Sequence, residues 1–189
     1  MKRSLQRFLA SLSIALFLLT PAFCVTIAGQ SSAGGKPQSV DSIRLIRRQY
    51  AAINKRVARY RKVKKELSGF SLEGGELVAY FDGPAIVKLV ANYYGESGQA
   101  LEEYYFQNEQ LIFVFRKEST YNRPLSGKVV HTDEDRFYFA NDRLLQWLNG
   151  SGRPAPNGIA DYQQKQDEYL ESARKFAAGA RSKAATIEA

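Results

Sequence analysis

The hydrophobic and polar positions along the chain follow three successive patterns. In residues 44–67 the apolar side chains recur at alternating spacings of four and three, which predicts one long amphipathic helix. In residues 74–149, short runs of valine, isoleucine, tyrosine and phenylalanine are separated by Asp-Gly, Asn-Glu and Asn-Asp turn signals, which predicts β-strands. In residues 159–180 a weaker helical period returns, interrupted at Gln166.

The middle pattern predicts six strands joined by short turns. The strands are expected near residues 75–81, 85–94, 100–107, 110–118, 131–140 and 143–148. Consecutive strands this close in sequence pair antiparallel, because a parallel return needs a crossover of about a dozen residues or more.

One short sequence pattern occurs three times in this segment. Its copies read AYFDGPAIVKLV at 79–90, YYFQNEQLIFVF at 104–115 and FYFANDRLLQWL at 137–148. Each copy places an aromatic pair before a tight turn and an aliphatic pair after it, which indicates a β-hairpin. With regular alternation, Phe106 lies opposite Leu111 and Tyr105 opposite Ile112, so both faces of the sheet are apolar and need cover.

These patterns predict an α+β fold in which a long N-terminal amphipathic helix packs on a six-stranded antiparallel β-meander. The C-terminal helix either docks on the second face or projects from it, and an open apolar face would be a binding surface. The expected order is a signal peptide at 1–28, a flexible leader at 29–39, a helix and sheet domain at 40–148, a Gly/Pro/Asn-rich linker at 149–158, and a C-terminal helix and tail at 159–189.

The first 28 residues have the layout of a secretory signal peptide. Basic residues precede an apolar run from Leu9 to Leu19, and small residues follow it. The run is shorter than the roughly 20 residues that a membrane-spanning helix needs. We therefore expect an exported protein, periplasmic or secreted, with no transmembrane segment after signal cleavage.

Cleavage is expected after Cys24 or after Ala28. Either cut removes the single cysteine, and the remaining chain then has neither disulfides nor thiol chemistry. Acylation of Cys24 in a lipoprotein is the alternative, although Phe23 and Pro21 depart from the residues that such a signal usually has.

Positive charge is concentrated in residues 44–65, which contain ten lysines and arginines and no acid. On the predicted helix these residues form a candidate binding surface for anionic lipid, anionic polysaccharide or an acidic envelope protein. The candidate residues are Arg48, Lys55, Arg56, Arg59, Lys62 and Lys64. The alternative is an ordinary solvated helix face, and nucleic acid is a poor candidate because the chain is expected to be exported.

Aromatic residues of the repeats offer a second candidate surface. Tyrosine and tryptophan rings combine an apolar face with a polar tip, which suits a carrier of lipid, glycan or peptide. The candidate residues are Tyr80, Tyr105, Tyr138 and Trp147. Their alternative role is packing at the margin of a helix and sheet contact.

The single histidine opens the segment His131-Thr132-Asp133-Glu134-Asp135. Alternation would place His131, Asp133 and Asp135 on one side of a strand, where they are weak candidates for a metal site or a metal-assisted hydrolase. Acids at a strand end also prevent edge-to-edge pairing, which is the alternative. We expect no cofactor and assign no catalytic residue, so the chain is predicted not to be an enzyme.

The order of these features resembles that of uncharacterised small exported bacterial proteins. The resemblance covers residues 43–148 and rests on the helix motif at 46–54, IRRQYAAIN, and on the hairpin pattern EYYF-x-N-x-x-LIFVF. It implies the fold and the compartment, and it assigns no activity and no functional residue. The expectation for function is therefore a non-catalytic cell-envelope binding protein.

Overall fold

The computed structural model describes residues 35–155 and 158–189. The predicted signal peptide, both predicted cleavage sites and residues 29–34 of the predicted leader lie outside the described residues. The helices are α1 (Gly35–Lys55), a short 3-10 turn (Val57–Arg59) and α2 (Ile159–Arg181). The strands are β1 (Arg61–Ser68), β2 (Gly75–Asp82), β3 (Ala85–Gly95), β4 (Gly98–Gln107), β5 (Gln110–Tyr121), β6 (Val129–Ala140), β7 (Arg143–Asn149) and β8 (Thr186–Glu188).

The strands form one eight-stranded sheet in the order β7-β6-β5-β4-β3-β2-β1-β8. Strands β1 to β7 make an antiparallel meander, and β8 is parallel to β1. The α+β class, the hairpins and the antiparallel character are confirmed, with the six predicted strands at β2 to β7. The predicted purely antiparallel sheet of six strands is wrong, because β1 and β8 add an edge and a parallel pair.

The predicted long N-terminal helix is also wrong, because α1 ends at Lys55 and residues 61–68 form β1. The reason is Lys65, whose side chain is buried on the same side of β1 as Val63 and Leu67. A lysine at this position interrupts the alternation of apolar and polar residues that would have indicated a strand. Its ammonium donates to the main-chain carbonyls of Ser182 and Ala184, just after α2. A buried lysine is tolerated there because backbone acceptors replace its water.

Each repeated hairpin contains a β-bulge at the same place. Phe106 pairs with Leu111 as predicted, but Tyr105 pairs with Phe113, so Ile112 is the extra residue. The register shifts in the same way between Tyr80 and Phe81 and between Tyr138 and Phe139. All residues of the strand that follow the bulge therefore lie on the face opposite to the one that regular alternation predicts.

The turns explain why these hairpins are tight. Asn108 and Glu109 have φ values of 50° and 63°, and Asn141 and Asp142 have values of 51° and 56°. Two consecutive positive φ angles define the turn whose twist matches that of paired strands, and asparagine and aspartate tolerate it.

Both faces of the sheet are covered by a helix. On one face, called the α2 face, α2 packs against an aromatic cluster that includes Tyr104, Phe137 and Phe139. On the other, called the α1 face, Ile46 and Ile53 of α1 pack against the cluster of Tyr105, Ile112, Phe113 and Tyr138. The predicted C-terminal helix therefore docks. No helix of the described residues is long and apolar enough to cross a membrane.

Candidate functional site

The basic segment, residues 44–65, does not form a single helix. It runs along the end of α1, through the 3-10 turn and into β1. All six candidate residues are exposed: Arg48 and Lys55 lie on α1, Arg56 and Arg59 lie at the turn, and Lys62 and Lys64 lie on β1. The segment is therefore a bent basic surface that ends at an edge of the sheet.

Most of these cations form no ion pair with a carboxylate of the described residues. Lys64 forms an ion pair with Glu76 at 3.1 Å. The other five candidates form no salt bridge with the described carboxylates; the pairs near them are Arg44 with Asp41 and Lys88 with Glu103. Their charge is therefore left to solvent or to a partner.

Two aromatic rings support the cations on β1. The Arg61 guanidinium lies 4.2 Å from the centroid of Phe81, and the Lys62 ammonium lies 5.5 Å from that of Tyr80. Such contacts hold a cation in place while its outer side stays available. These two contacts could not be predicted from the sequence, because they depend on the pairing of β1 with β2.

The predicted aromatic platform does not form one surface. Tyr80, Tyr105 and Tyr138 lie on the α1 face, but Trp147 packs with Phe137 on the α2 face. The bulge after the third hairpin turn is the reason, because it moves Trp147 to the other side. Tyr105 is also fully buried beneath α1.

Beneath α1, a polar cluster occupies the centre of the α1 face. The Lys88 ammonium donates to Glu103 Oε1 at 2.8 Å and to Asn54 Oδ1 at 3.1 Å. The Tyr105 hydroxyl donates to Glu103 Oε2 at 2.5 Å. Burial, and then the Glu103 carboxylate, raise the pKa of Tyr105. The cluster joins α1 to the sheet and leaves no free reactive group.

Glu102, which precedes Glu103 on β4, is a second buried carboxylate. Its side chain points to the α2 face, whereas that of Glu103 points to the α1 face. Glu102 Oε2 accepts hydrogen bonds from Tyr104 at 2.6 Å and from Tyr93 at 3.1 Å, and the Arg116 guanidinium lies 3.5 Å from Glu102 Oε1. Burial, followed by the Glu102 charge, raises the pKa of Tyr93, Tyr104 and Tyr169. The alternation of β4 directs the two adjacent glutamates to opposite faces of the sheet. It keeps them from acting as a catalytic pair.

A cleft of about 480 Å³ borders α1 on the side of β5 and β6. Its walls include Phe113 and Phe115, and the guanidiniums of Arg47 and Arg136 lie at its margin. Arg47 donates to the Tyr138 hydroxyl at 3.3 Å, whereas Arg136 is paired with Glu134 at 2.7 Å. Apolar walls with an arginine that lacks a carboxylate partner suit an apolar ligand with one anionic group.

A second cleft, of about 420 Å³, lies between α2 and the hairpin tips. Its walls include Ile86, Phe106 and Leu111, and the small side chains of α2 leave the space open. Arg181 pairs with Glu109 across its rim at 2.9 Å. This ion pair engages Arg181, whereas Arg174, which also lines the cleft, forms no salt bridge with the described carboxylates.

The segment that contains His131 lies near the start of β6, at the end opposite to the turn that joins β6 to β7. His131 Nε2 is 2.9 Å from Asp133 Oδ2, and both side chains are largely exposed. Asp135 instead accepts a hydrogen bond from Trp147 Nε1 at 2.8 Å. Within residues 35–155 and 158–189, no group of three or more histidine, cysteine, aspartate or glutamate side chains is placed to share a metal ion.

Comparisons with known proteins add no assignment. No protein-family model matches the chain, and no match is found among the curated proteins or the solved structures. The chemistry of the described residues is therefore what indicates the function.

Proposed function

We propose that this chain is an exported, non-catalytic cell-envelope protein that recognises an acidic partner through its basic segment. The observation that carries the proposal is the group of five exposed cations, Arg48, Lys55, Arg56, Arg59 and Lys62, that have no carboxylate partner in the described structure. Clustered charges of one sign raise the rate and the specificity of association with an opposite charge.

Although Val40 and Leu45 of α1 are exposed, the burial of its apolar stripe favours an acidic protein over a lipid surface. A basic amphipathic helix binds a bilayer by inserting its apolar face between the headgroups. The apolar residues Ile46 and Ile53 of α1 are only 6% and 4% exposed, because they pack on the sheet. They are therefore not free for insertion.

The charge proposal is tested by binding to poly-glutamate, a soluble acidic polypeptide. Reversing Lys55, Arg56, Arg59 and Lys62 to glutamate is expected to lower the affinity at least about tenfold and to remove its salt dependence. The matched control reverses Arg123, Lys128, Arg143 and Arg153, which are exposed away from the basic segment, and so gives the same net charge. Equal losses in both variants would contradict a local site. Tighter binding to phosphatidylglycerol vesicles than to poly-glutamate would favour lipid instead.

Export is supported by the pattern of residues 1–28. The test is the mass and the N-terminal sequence of the protein recovered outside the inner membrane. We expect cleavage after Cys24 or Ala28. An intact N-terminus on cytoplasmic protein would contradict export.

A second candidate function is small-ligand binding in the cleft beside α1, which Arg47 favours because it forms no salt bridge with the described carboxylates. Anilinonaphthalene sulfonate, an aromatic anion, is a suitable probe because it fluoresces in apolar sites. Arg47→Ala should weaken its binding, while Arg174→Ala at the α2 cleft should not. The opposite result would move the ligand site to the α2 cleft. We do not extend this candidate to hydrolysis at His131, because Asp135 is engaged by Trp147.

A further inference from the structure

Strand β1 is an edge strand along only part of its length. Strand β8 pairs with Glu66, Leu67 and Ser68, and the Glu66 amide donates to the Ala185 carbonyl at 3.0 Å. Residues 61–64 have β2 on one side, and on the other side no strand of residues 35–155 or 158–189 pairs with them.

The open stretch presents main-chain hydrogen-bonding groups in a defined register. Alternate residues of a strand direct their amide and carbonyl groups to the same edge. Since the Glu66 amide faces β8, the amides and carbonyls of Lys62 and Lys64 face the same edge. No strand of the described residues pairs with them there.

We propose that this edge accepts an acidic, extended segment of a partner protein as an additional strand. The inference rests on the proposed function, since it names the way in which the basic segment recognises its partner. Strand addition at a sheet edge obtains affinity from main-chain hydrogen bonds and specificity from alternate side chains. The two residues Lys62 and Lys64 offer two donors and two acceptors for this purpose.

The chain itself shows that the edge of β1 can bind a strand. The three-residue β8 already does so at the adjacent positions, in parallel orientation. A segment added beside residues 61–64 would extend, along the same edge of β1, the main-chain pairing that β8 makes with residues 66–68.

Charge decides which segment fits. Arg61, Lys62 and Lys64 are exposed at this edge, with Arg59 just before it. A second copy of β1 would place lysine and arginine against lysine and arginine, which is unfavourable between neighbouring strands. An acidic segment instead brings carboxylates beside Lys62 and beside Lys64, where Glu76 shares the ammonium.

The alternation also predicts the partner's pattern. Lys62 and Lys64 point to the α1 face, as their contacts with Tyr80 and Glu76 show, whereas Val63 packs toward the α2 face. A matching strand has acids at alternate positions and an apolar residue between them. The capped peptide Glu-Val-Glu-Val-Glu has this pattern and serves as the probe.

The test measures binding of the labelled peptide to the intact protein by fluorescence anisotropy. In an added strand only alternate amides face β1, so N-methylation of one alternate set should lower the affinity about tenfold or more, and methylation of the other set should not. Lys62→Glu should cause a loss of similar size, while Lys128→Glu, at an exposed position several strands away from β1, should not. Urea unfolding of both variants shows whether the fold is retained.

The outcomes separate this inference from the proposed function. If both methylated peptides bind like the parent, or if the parent fails to bind while poly-glutamate binds, strand addition is overturned and charge recognition stands. If neither the peptide nor poly-glutamate binds, both proposals are overturned. Binding of Lys-Val-Lys-Val-Lys as tight as that of the acidic peptide would also overturn the strand inference.

Discussion

Replacing Glu103 by glutamine tests whether the polar cluster beneath α1 holds this helix on the sheet. In the folded protein the Lys88 and Glu103 side chains are only 8% and 19% exposed, and their charged atoms lie 2.8 Å apart. Glu103→Gln keeps the shape of the side chain and an oxygen for the Tyr105 hydroxyl. It leaves the Lys88 ammonium buried without its counter-charge.

The size of the effect follows from what remains around Lys88. Breaking a buried ion pair by removing one partner costs about 3–5 kcal/mol. Asn54 Oδ1 still accepts from Lys88 at 3.1 Å, so we expect a loss near the lower end, about 3 kcal/mol. The matched control is Glu118→Gln, whose carboxylate pairs with Arg116 but is 57% exposed, and it should cost less than about 1 kcal/mol.

The assay is urea unfolding followed by circular dichroism, with the free energy taken from the midpoint and the slope. The double variant Lys88→Met with Glu103→Gln removes the stranded charge and should recover at least about half of the loss. If Glu103→Gln costs no more than Glu118→Gln, the cluster does not hold α1 and the reasoning fails.

Three further predictions concern the fold. Burial is the main cause that raises the pKa of four tyrosines above the ordinary value of 10.0; they are Tyr93, Tyr104, Tyr105 and Tyr169. The folded state therefore keeps these protons at a pH where the unfolded chain loses them. The free energy of unfolding is unaffected below pH 10.0 and should fall as the pH rises above it. The slope is about 1.4 kcal/mol per pH unit for each phenol, and tyrosinate absorbance should appear together with unfolding; ionisation while the fold persists would contradict this. Gly98→Ala should destabilise, because its Cβ would lie 2.2 Å from the Ser119 carbonyl oxygen, whereas Gly95→Ala, with its nearest contact at 3.4 Å, should have a smaller effect in urea unfolding. Phe176→Ala should cost about 3–5 kcal/mol, because the ring is fully buried between Phe70 and Tyr104; a loss no larger than that of the exposed-site variant Arg174→Ala would mean that α2 is not docked.

The meander could be predicted from the sequence because its signals are local. Aromatic and aliphatic pairs flank turn residues in each repeat, and the asparagines supply the positive φ angles that the turns need. Strand β1 could not be predicted in this way. Lys65 is polar in sequence but buried in space, and the carbonyls that accept from it come from residues 182 and 184 at the other end of the chain.

The candidate sites also differ in whether they depend on local sequence or on the pairing of strands. Exposure of Arg48, Lys55 and the other basic candidates follows from their own charge, so the sequence suffices for it. The aromatic platform depended on register, and a single extra residue in β7 placed Trp147 on the opposite face. The buried polar clusters around Glu102 and Glu103 could have been predicted from the sequence. Two acids within a strand, followed by Tyr-Tyr, indicate carboxylates with buried hydrogen-bond partners.

The most direct test of the central claim is photo-crosslinking from the basic segment in cells that produce the protein. A photoreactive residue at Ala58, which is exposed between the cations of the turn, is compared with one at Ala160, which is exposed at the start of α2. We predict an adduct with an acidic protein from position 58 that disappears when Lys55, Arg56, Arg59 and Lys62 are reversed, and no such adduct from position 160. An adduct from position 58 that survives the reversal, or none at all, would contradict recognition through the basic segment.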